Sequence, residues 1–235
     1  MGKLQSAGGT ETDMWQQIPS LLAAAHELKS PLVLIRQLSF QLEDEKAAQR
    51  IRLTAERSLN LVDSLTQVAR LEDTLFSCEP IHMVSLLEDV AHELFPLSTA
   101  LNQTIEIHST KSNPVAIANY SLLRTVILGL CDNALAHNKP GRPIELRSRR
   151  QGDLIMTGVR DYGPLTNNLA RFRRHVGKTP LPLSGRPRSS GLGLMIAEQF
   201  AEHMSGRLHL RRHHDEGVTF SLLLPASQQL SLLAL

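Results

Sequence analysis

One histidine stands beside a carboxylate near the start of the chain, in the string His26-Glu27-Leu28-Lys29-Ser30-Pro31. A neutral imidazole is a good nucleophile near pH 7, and a carboxylate on one ring nitrogen fixes the tautomer while the other nitrogen attacks. Taken alone, such a histidine is more often part of a solvated helix face. Farther along, Asn133 lies one helical turn from both Gly129 and His137, so these three share a face while Leu123, Ile127, Leu130 and Ala134 line another. Asp161 closes an apolar run and is followed two positions later by Gly163 and then Pro164. Gly191 and Gly193, within Gly191-Leu192-Gly193-Leu194, open a helical pattern, where free backbone N–H groups and the helix dipole favour anions. Each has a plain structural reading as well: a solvated helix surface for Asn133, a strand-ending turn for Asp161, close helix packing for the glycine pair. A dinucleotide-binding fingerprint is excluded, because the third glycine is missing and the preceding residues read as loop rather than strand.

The elements that must position these groups follow from apolar spacing. Leu21, Ala25, Leu28, Leu32, Ile35 and Leu42 recur at steps of three and four broken only by Ser39, the seam of a long helix. After the polar run Glu43-Asp44-Glu45-Lys46, a second helix is predicted from Ile51, Ala55, Leu59, Val62, Leu65 and Ala69. His26 flanks the first seam, and Pro31, which cannot donate to the carbonyl of Glu27, predicts a bend within one turn of it. Two such helices form an antiparallel hairpin with an uncovered apolar stripe, so two copies are expected to pair as a four-helix bundle. Pro80 marks a boundary. Beyond it the spacing predicts a helix over 83–101, strands over 105–108 and 115–118, a helix over 121–137 capped by Asn119 or Ser121, and strands over 144–150 and 154–160. A long irregular stretch from 162 to 190 precedes a helix over 191–204 and strands over 207–212 and 217–224. A stretch of that length is usually a functional lid or a disordered segment.

Composition sets the bounds. The chain has 235 residues, 42% hydrophobic but only 4% aromatic, which favours helix-on-sheet packing over an all-β sandwich. Lys plus Arg number 25 against 23 acidic residues, so bulk charge gives no reason to expect a nucleic-acid partner. Cys78 and Cys131 stand far apart, which indicates neither a zinc site nor a disulfide framework. No apolar run reaches the ~18 residues of a membrane span. Residues 1–13 read as a disordered lead, 14–77 as the hairpin, 78–225 as one domain and 226–235 as a frayed tail.

The string around His26 resembles the H-box of the two-component sensor histidine kinases. Leu130-Cys131-Asp132-Asn133-Ala134 resembles the second half of that family's N-box, Asp161-Tyr162-Gly163-Pro164 its first glycine box and Gly191-Leu192-Gly193-Leu194 its second. The four arrive in the family's order and span residues 20 to 225. The resemblance implies an α+β fold: a dimerisation hairpin forming a dimeric four-helix bundle, followed by an α/β sandwich of the GHKL ATPase type. It implies a cytoplasmic homodimer that binds ATP and Mg²⁺, autophosphorylates His26 with help from Glu27, and passes the phosphoryl group to an aspartate of a response-regulator receiver domain. Asp161 would accept from the adenine amino group, Gly163 would let the chain pass close to the ring, and Asn133 would offer an amide oxygen to Mg²⁺. His137, Gly191, Leu192, Gly193 and Leu194 complete the implied nucleotide site. Ser30, where many members carry Thr or Asn, is the implied phosphatase residue.

Four positions depart from the pattern. Gly129 replaces the first Asn or acidic residue of the N-box, Ala136 a common phosphate-contacting Lys, Leu165 the second glycine of the first glycine box and Ser189 the leading glycine of the second. The alternative they raise is a degenerate kinase, a dimeric nucleotide- or regulator-binding module with little transfer activity. A topoisomerase-type, chaperone-type or anti-sigma ATPase is disfavoured, because those lack a His-bearing hairpin immediately upstream.

Overall fold

The computed structural model describes residues 18–71, 76–109, 114–163, 192–214 and 216–227. The chain divides into two compact units, Met1–Thr74 and Leu75–Leu235. The expected disordered lead, Gly191, and the irregular stretch from residue 164 onward, with Leu165 and Ser189, lie outside the described residues.

The first unit is a helical hairpin. Helix α1 (Ile18–Leu38) runs on through Pro31 and ends in a single 3-10 turn, Ser39–Gln41. Helix α2 (Glu45–Ala69) starts where the Asp44 side chain accepts from the backbone N–H groups of Lys46 and Ala47 at 3.0 and 3.1 Å, satisfying donors that no helical carbonyl can reach. Of the expected α2 stripe, Ala55, Leu59, Val62, Leu65 and Ala69 are buried, with Ala48 added below them, whereas Ile51 is exposed. On α1 Ala25 is buried, but Leu28, Ile35 and the post-helical Leu42 are about half exposed. Lys29 pairs with Asp63 across the two helices at 2.7 Å, and the Arg52 guanidinium lies 4.7 Å from the centre of the Phe40 ring.

The second unit is an α/β sandwich. Strand β1 (Glu79–His82) leads into α3 (Met83–Ala100), then come β2 (Ile105–Ser109), β3 (Val115–Ala118), α4 (Tyr120–His137), β4 (Ile144–Gln151), β5 (Leu154–Asp161), α5 (Leu192–His203), β6 (Arg207–Arg212) and β7 (Val218–Pro225). Five strands form one sheet in the order β2-β4-β5-β7-β6, parallel only between β2 and β4. Helix α4 lies between α3 and α5, and the three pack on the sheet. Met83, Leu86, Leu87, Val90, Leu94 and Leu97 recur at helical spacing on α3 and are all buried. The buried core continues in Leu122, Leu123 and Ile127 of α4 and in Ile144, Leu146 and Ile155 of the sheet, none of which has exposed surface. Of the two expected caps for α4, Asn119 serves: its side chain accepts from Leu122 N at 3.1 Å.

Two expectations need correction. Pro80 does not separate elements but sits inside β1, opposite Ile117 in a two-stranded ribbon with β3. A proline fits there because a two-stranded ribbon leaves one side of each strand unpaired. The expected frayed tail begins later than residue 226: Ala226 is buried and bridges to Ala116, and Ser227 N donates to Val115 O at 2.9 Å.

Candidate functional site

The C-terminal end of α4 and the end of β5 converge. Asn138 terminates α4, and its side chain works in three directions at once. Its Oδ1 accepts from Tyr162 N at 2.8 Å, while Nδ2 donates to Gln103 Oε1 and Arg142 O, each at 2.7 Å. This fastens the chain just after β5 to the helix end. Gly163 follows so closely under α4 that a Cβ there would stand 2.0 Å from the carbonyl oxygen of His137, so no other residue fits without moving the helix end. From the other side Gly217, at φ +84°, lies against the Asp161 carbonyl, which a Cβ would meet at 1.9 Å. His137, Asp161 and Gly163 are therefore brought together by backbone packing on both flanks.

Asp161 is the electrostatic centre of this corner. It is 3% exposed, and its Oδ1 accepts from Gly163 N at 2.9 Å. Burial pushes its pKa up to about 6, against the opposing pull of that N–H. Oδ2 accepts from none of the described residues, which suits an external N–H donor such as an adenine amino group. Asn133, one turn before His137 on α4, is half-buried. Among the described residues no group of three or more His, Cys, Asp or Glu side chains could hold a metal ion by itself. A single amide oxygen is a donor set that fits Mg²⁺ carried in by a triphosphate, since Mg²⁺ keeps most of its waters and takes few protein ligands. Gly193 and Leu194 lie in the first turns of α5, which packs on α4. A Cβ at Gly193 would meet nothing within 4 Å, so free space rather than tight packing surrounds it.

Gly129 also has open space around an added Cβ, and Ala136 is exposed. Neither departure from the kinase pattern is therefore forced by packing. Cys131 is fully buried and its thiol is pushed up by that burial, which marks a packing residue rather than a nucleophile. In the other unit His26, Glu27 and Ser30 are all exposed, and His26 directly follows the buried Ala25, so its backbone is held by packing while its ring reaches solvent.

Sequence reasoning missed the support beneath Asp161. The buried Glu145 accepts from the Tyr162 hydroxyl and from Arg147. Burial alone would raise Glu145, yet these two donors and the nearby Arg160 hold it below the usual carboxylate range. The Arg142 and Arg160 guanidiniums lie 4.1 and 4.5 Å from the centre of the Tyr162 ring. Asn138 was readable as a helix stop, but two of its three side-chain partners stand 24 and 35 residues away in the chain, and local spacing carries no signal of that.

Residues 118–228 match the family described as histidine kinase-, DNA gyrase B- and HSP90-like ATPase. The sensor protein SphS of Synechococcus elongatus is 33% identical over 206 residues, 80% of this chain and 50% of SphS. The alginate biosynthesis sensor protein KinB of Pseudomonas aeruginosa is 27% identical over 237 residues, 92% of this chain and 38% of KinB. The chain thus spans half or less of these relatives' length. Among solved structures, full-length ShkA in complex with AMPPNP superposes with a TM-score of 0.64 at 21% identity, covering 89% of this chain and 46% of ShkA. The Acinetobacter baumannii histidine kinase AdeS gives 0.59 at 17% identity over 86% of this chain and 98% of that one. At such identities these two speak for the fold. With four motifs in order, the sheet and helix layers in place and the ATPase family matched across α4, β5 and α5, the chain belongs to the two-component sensor histidine kinases and carries their GHKL-type ATP-binding domain.

Proposed function

We propose that this chain is a protein-histidine kinase that autophosphorylates His26 from Mg²⁺-ATP and hands the phosphoryl group to an aspartate of a response-regulator receiver domain, working as a cytoplasmic homodimer. The observation that carries the reading is Asp161: a buried carboxylate with one oxygen committed to Gly163 N and the other without a donor among the described residues, held from behind by Asn138, Tyr162 and Glu145. In this reading Oδ2 accepts from the adenine amino group, and Gly163 keeps the chain low enough for the ring to enter. Asn133 and His137 face the phosphates from α4, and Leu192, Gly193 and Leu194 from the start of α5, with the preceding Gly191 of the same sequence motif completing the set. Bound Mg²⁺ would neutralise charge on the phosphates, with the Asn133 amide as a protein ligand. One nitrogen of His26 attacks the γ-phosphorus as the bond to the β-phosphate oxygen breaks, and ADP leaves. Glu27 accepts from the other ring nitrogen and stabilises the cation that forms. Positioning and charge neutralisation supply most of the rate, as in other phosphoryl transfers. No described helix is long and apolar enough to cross a membrane.

The open space at Gly129 and the exposed Ala136 favour a second reading, a degenerate kinase that binds nucleotide or regulator and transfers little. Calorimetric ATP titration tests the shared part of both readings. Asp161→Ala should weaken binding by about 2 kcal/mol through loss of a buried charge-assisted hydrogen bond. Unchanged affinity in that variant would place the adenine elsewhere.

A further inference from the structure

The face of the five-stranded sheet turned away from the helices meets the nucleotide site only through Glu145, Arg147 and Arg160, which support Tyr162, and its make-up follows from the strand register. Strands β5 and β7 run down its middle, pairing Leu154 with Pro225, Met156 with Leu223 and Gly158 with Ser221. On one side β4 sets Arg149 beside Met156 and Arg147 beside Gly158. On the other, β6 sets Arg207 beside Leu223 and Arg211 beside Thr219. The alternate residues of these strands, Leu146, Ile155, Leu208, Phe220 and Leu222 among them, are buried in the core, so the arginine-bearing set points the opposite way. All four arginines are exposed. Arg147 is engaged by Glu145, whereas Arg149, Arg207 and Arg211 form no ion pair among the described residues.

This arrangement is a furrow with a defined width and chemistry. Three strand spacings separate β4 from β6, about 14 Å, which exceeds the ~10–12 Å diameter of an α-helix with its side chains. Along β6, Arg207 and Arg211 stand roughly 13 Å apart, so that bank spans more than two helical turns. The floor is apolar at Met156, Leu223 and Leu154, which is 41% exposed at one end, small and buried at Gly158 and Ser221, and polar at Arg160 and Thr219 beside Arg211. The outward positions of β4 to β7 carry no Phe, Tyr or Trp, and the exposed His209, opposite Ser221, offers a nucleic-acid strand a single small ring rather than a stacking platform. A bilayer surface is too broad to reach the floor between the arginine banks, and the interfacial aromatics that anchor a membrane face are missing there. The cations are arginines, whose forked donors match carboxylates in a paired geometry.

We infer that this furrow is a docking surface for an acidic amphipathic helix of a partner protein, with apolar residues on the β5–β7 floor and carboxylates on Arg149 at one bank and Arg207 and Arg211 at the other. The inference stands on the register and charge of the sheet and is independent of the activity proposed for His26. The probe is a fluorescein-labelled peptide of about 18 residues, long enough at 1.5 Å per residue to fill the furrow, with a leucine stripe flanked on both sides by glutamates. Fluorescence anisotropy should show saturable binding to the full chain. The double variant Arg207→Glu/Arg211→Glu should weaken it roughly tenfold or more, and a peptide with lysines on one flank should recover affinity for that variant. Lys46→Glu/Arg50→Glu, an equal change in net charge at exposed positions of the hairpin, should leave peptide binding within about twofold. Unaltered circular dichroism and ATP affinity show that the variants are folded. The inference is overturned if the unmodified protein gives no saturable binding, if the hairpin variant weakens the peptide as much, or if the lysine peptide gains nothing. It is also overturned if a single-stranded oligonucleotide or a phosphatidylglycerol vesicle binds as tightly as the peptide and loses as much in the furrow variant.

Discussion

The hairpin and the ATP-binding unit use the same apolar residue types and bury them to different depths. In the second unit Leu86, Leu87, Leu122, Leu123, Ile127 and Phe200 have essentially no exposed surface, enclosed between a helix layer and the inner face of the sheet. In the first unit the deepest residues are alanines joined by Leu59, Val62 and Leu65, while Leu28, Leu34, Leu38 and Phe40 are 49–65% exposed. Among the described residues of this unit no third layer closes over the two helices, and exposed apolar area of that kind on one element marks an interface. The hairpin is half of a core and the second unit is a whole one. The uncovered apolar stripe lies on the unit that carries His26, while the unit that carries Asp161 encloses its own core.

The largest effect that sharpens this contrast is expected at Leu28. Leu28→Glu places a charge in the seam, and light scattering at micromolar concentration should show the dimer falling to monomer, because an unpaired buried charge costs several kcal/mol. The ATP affinity of the same variant should stay within a few fold of the parent. A parent protein that is already monomeric, or a variant that loses ATP binding together with dimerisation, would break the comparison.

A smaller effect belongs to the second unit alone and comes from Asp161. Its pKa in the folded chain, about 6, lies above the ordinary aspartate value of 3.8, so its contribution to stability is fully present below the lower value and is lost as pH rises through the upper one. Without nucleotide, thermal unfolding should show this unit losing on the order of 2–3 kcal/mol between pH 4 and pH 6, and Asp161→Asn should flatten that slope. ATP affinity should run the opposite way, falling below about pH 6 as the acceptor oxygen becomes protonated. Equal slopes in the two proteins would remove Asp161 as the titrating group.

The smallest expected effect is at Ser30, exposed on α1 one turn after Glu27. It has the hydroxyl needed to hold a water but lacks the methyl group that restricts the Thr rotamer, so phosphatase activity towards the phosphorylated regulator should be weak. Ser30→Ala should remove most of it without reducing phosphorylation of His26. Equal decay of the phosphorylated regulator with both proteins would leave Ser30 a plain solvent-facing residue.

The two units were not equally legible in the sequence. Helical spacing gave α2 and its buried stripe almost residue by residue, because a two-helix packing problem is local and periodic. The same spacing predicted an uncovered apolar stripe on the hairpin, and Leu28 and Ile35 of α1 are about half exposed. In the second unit the strand order, the β1–β3 ribbon through Pro80 and the Asn138 clasp are pairings between distant segments, to which periodicity is blind. Asp161, Gly163 and His137 were each readable as candidates. Their convergence was not, because it rests on contacts that follow only from the fold, such as the missing Cβ of Gly163 under the His137 carbonyl.

The central claim is that His26 receives the phosphoryl group from ATP held at Asp161. It is tested most directly by incubating the full chain and His26→Gln with Mg²⁺ and γ-labelled ATP, then treating the labelled protein with acid and with base. The account predicts label on the parent protein that is lost in acid and kept in base, as a phosphoramidate requires. It predicts none on His26→Gln, whose ATP affinity should be nearly unchanged. Equal label on the variant, or ATP binding by the parent with no acid-labile label at all, would contradict it.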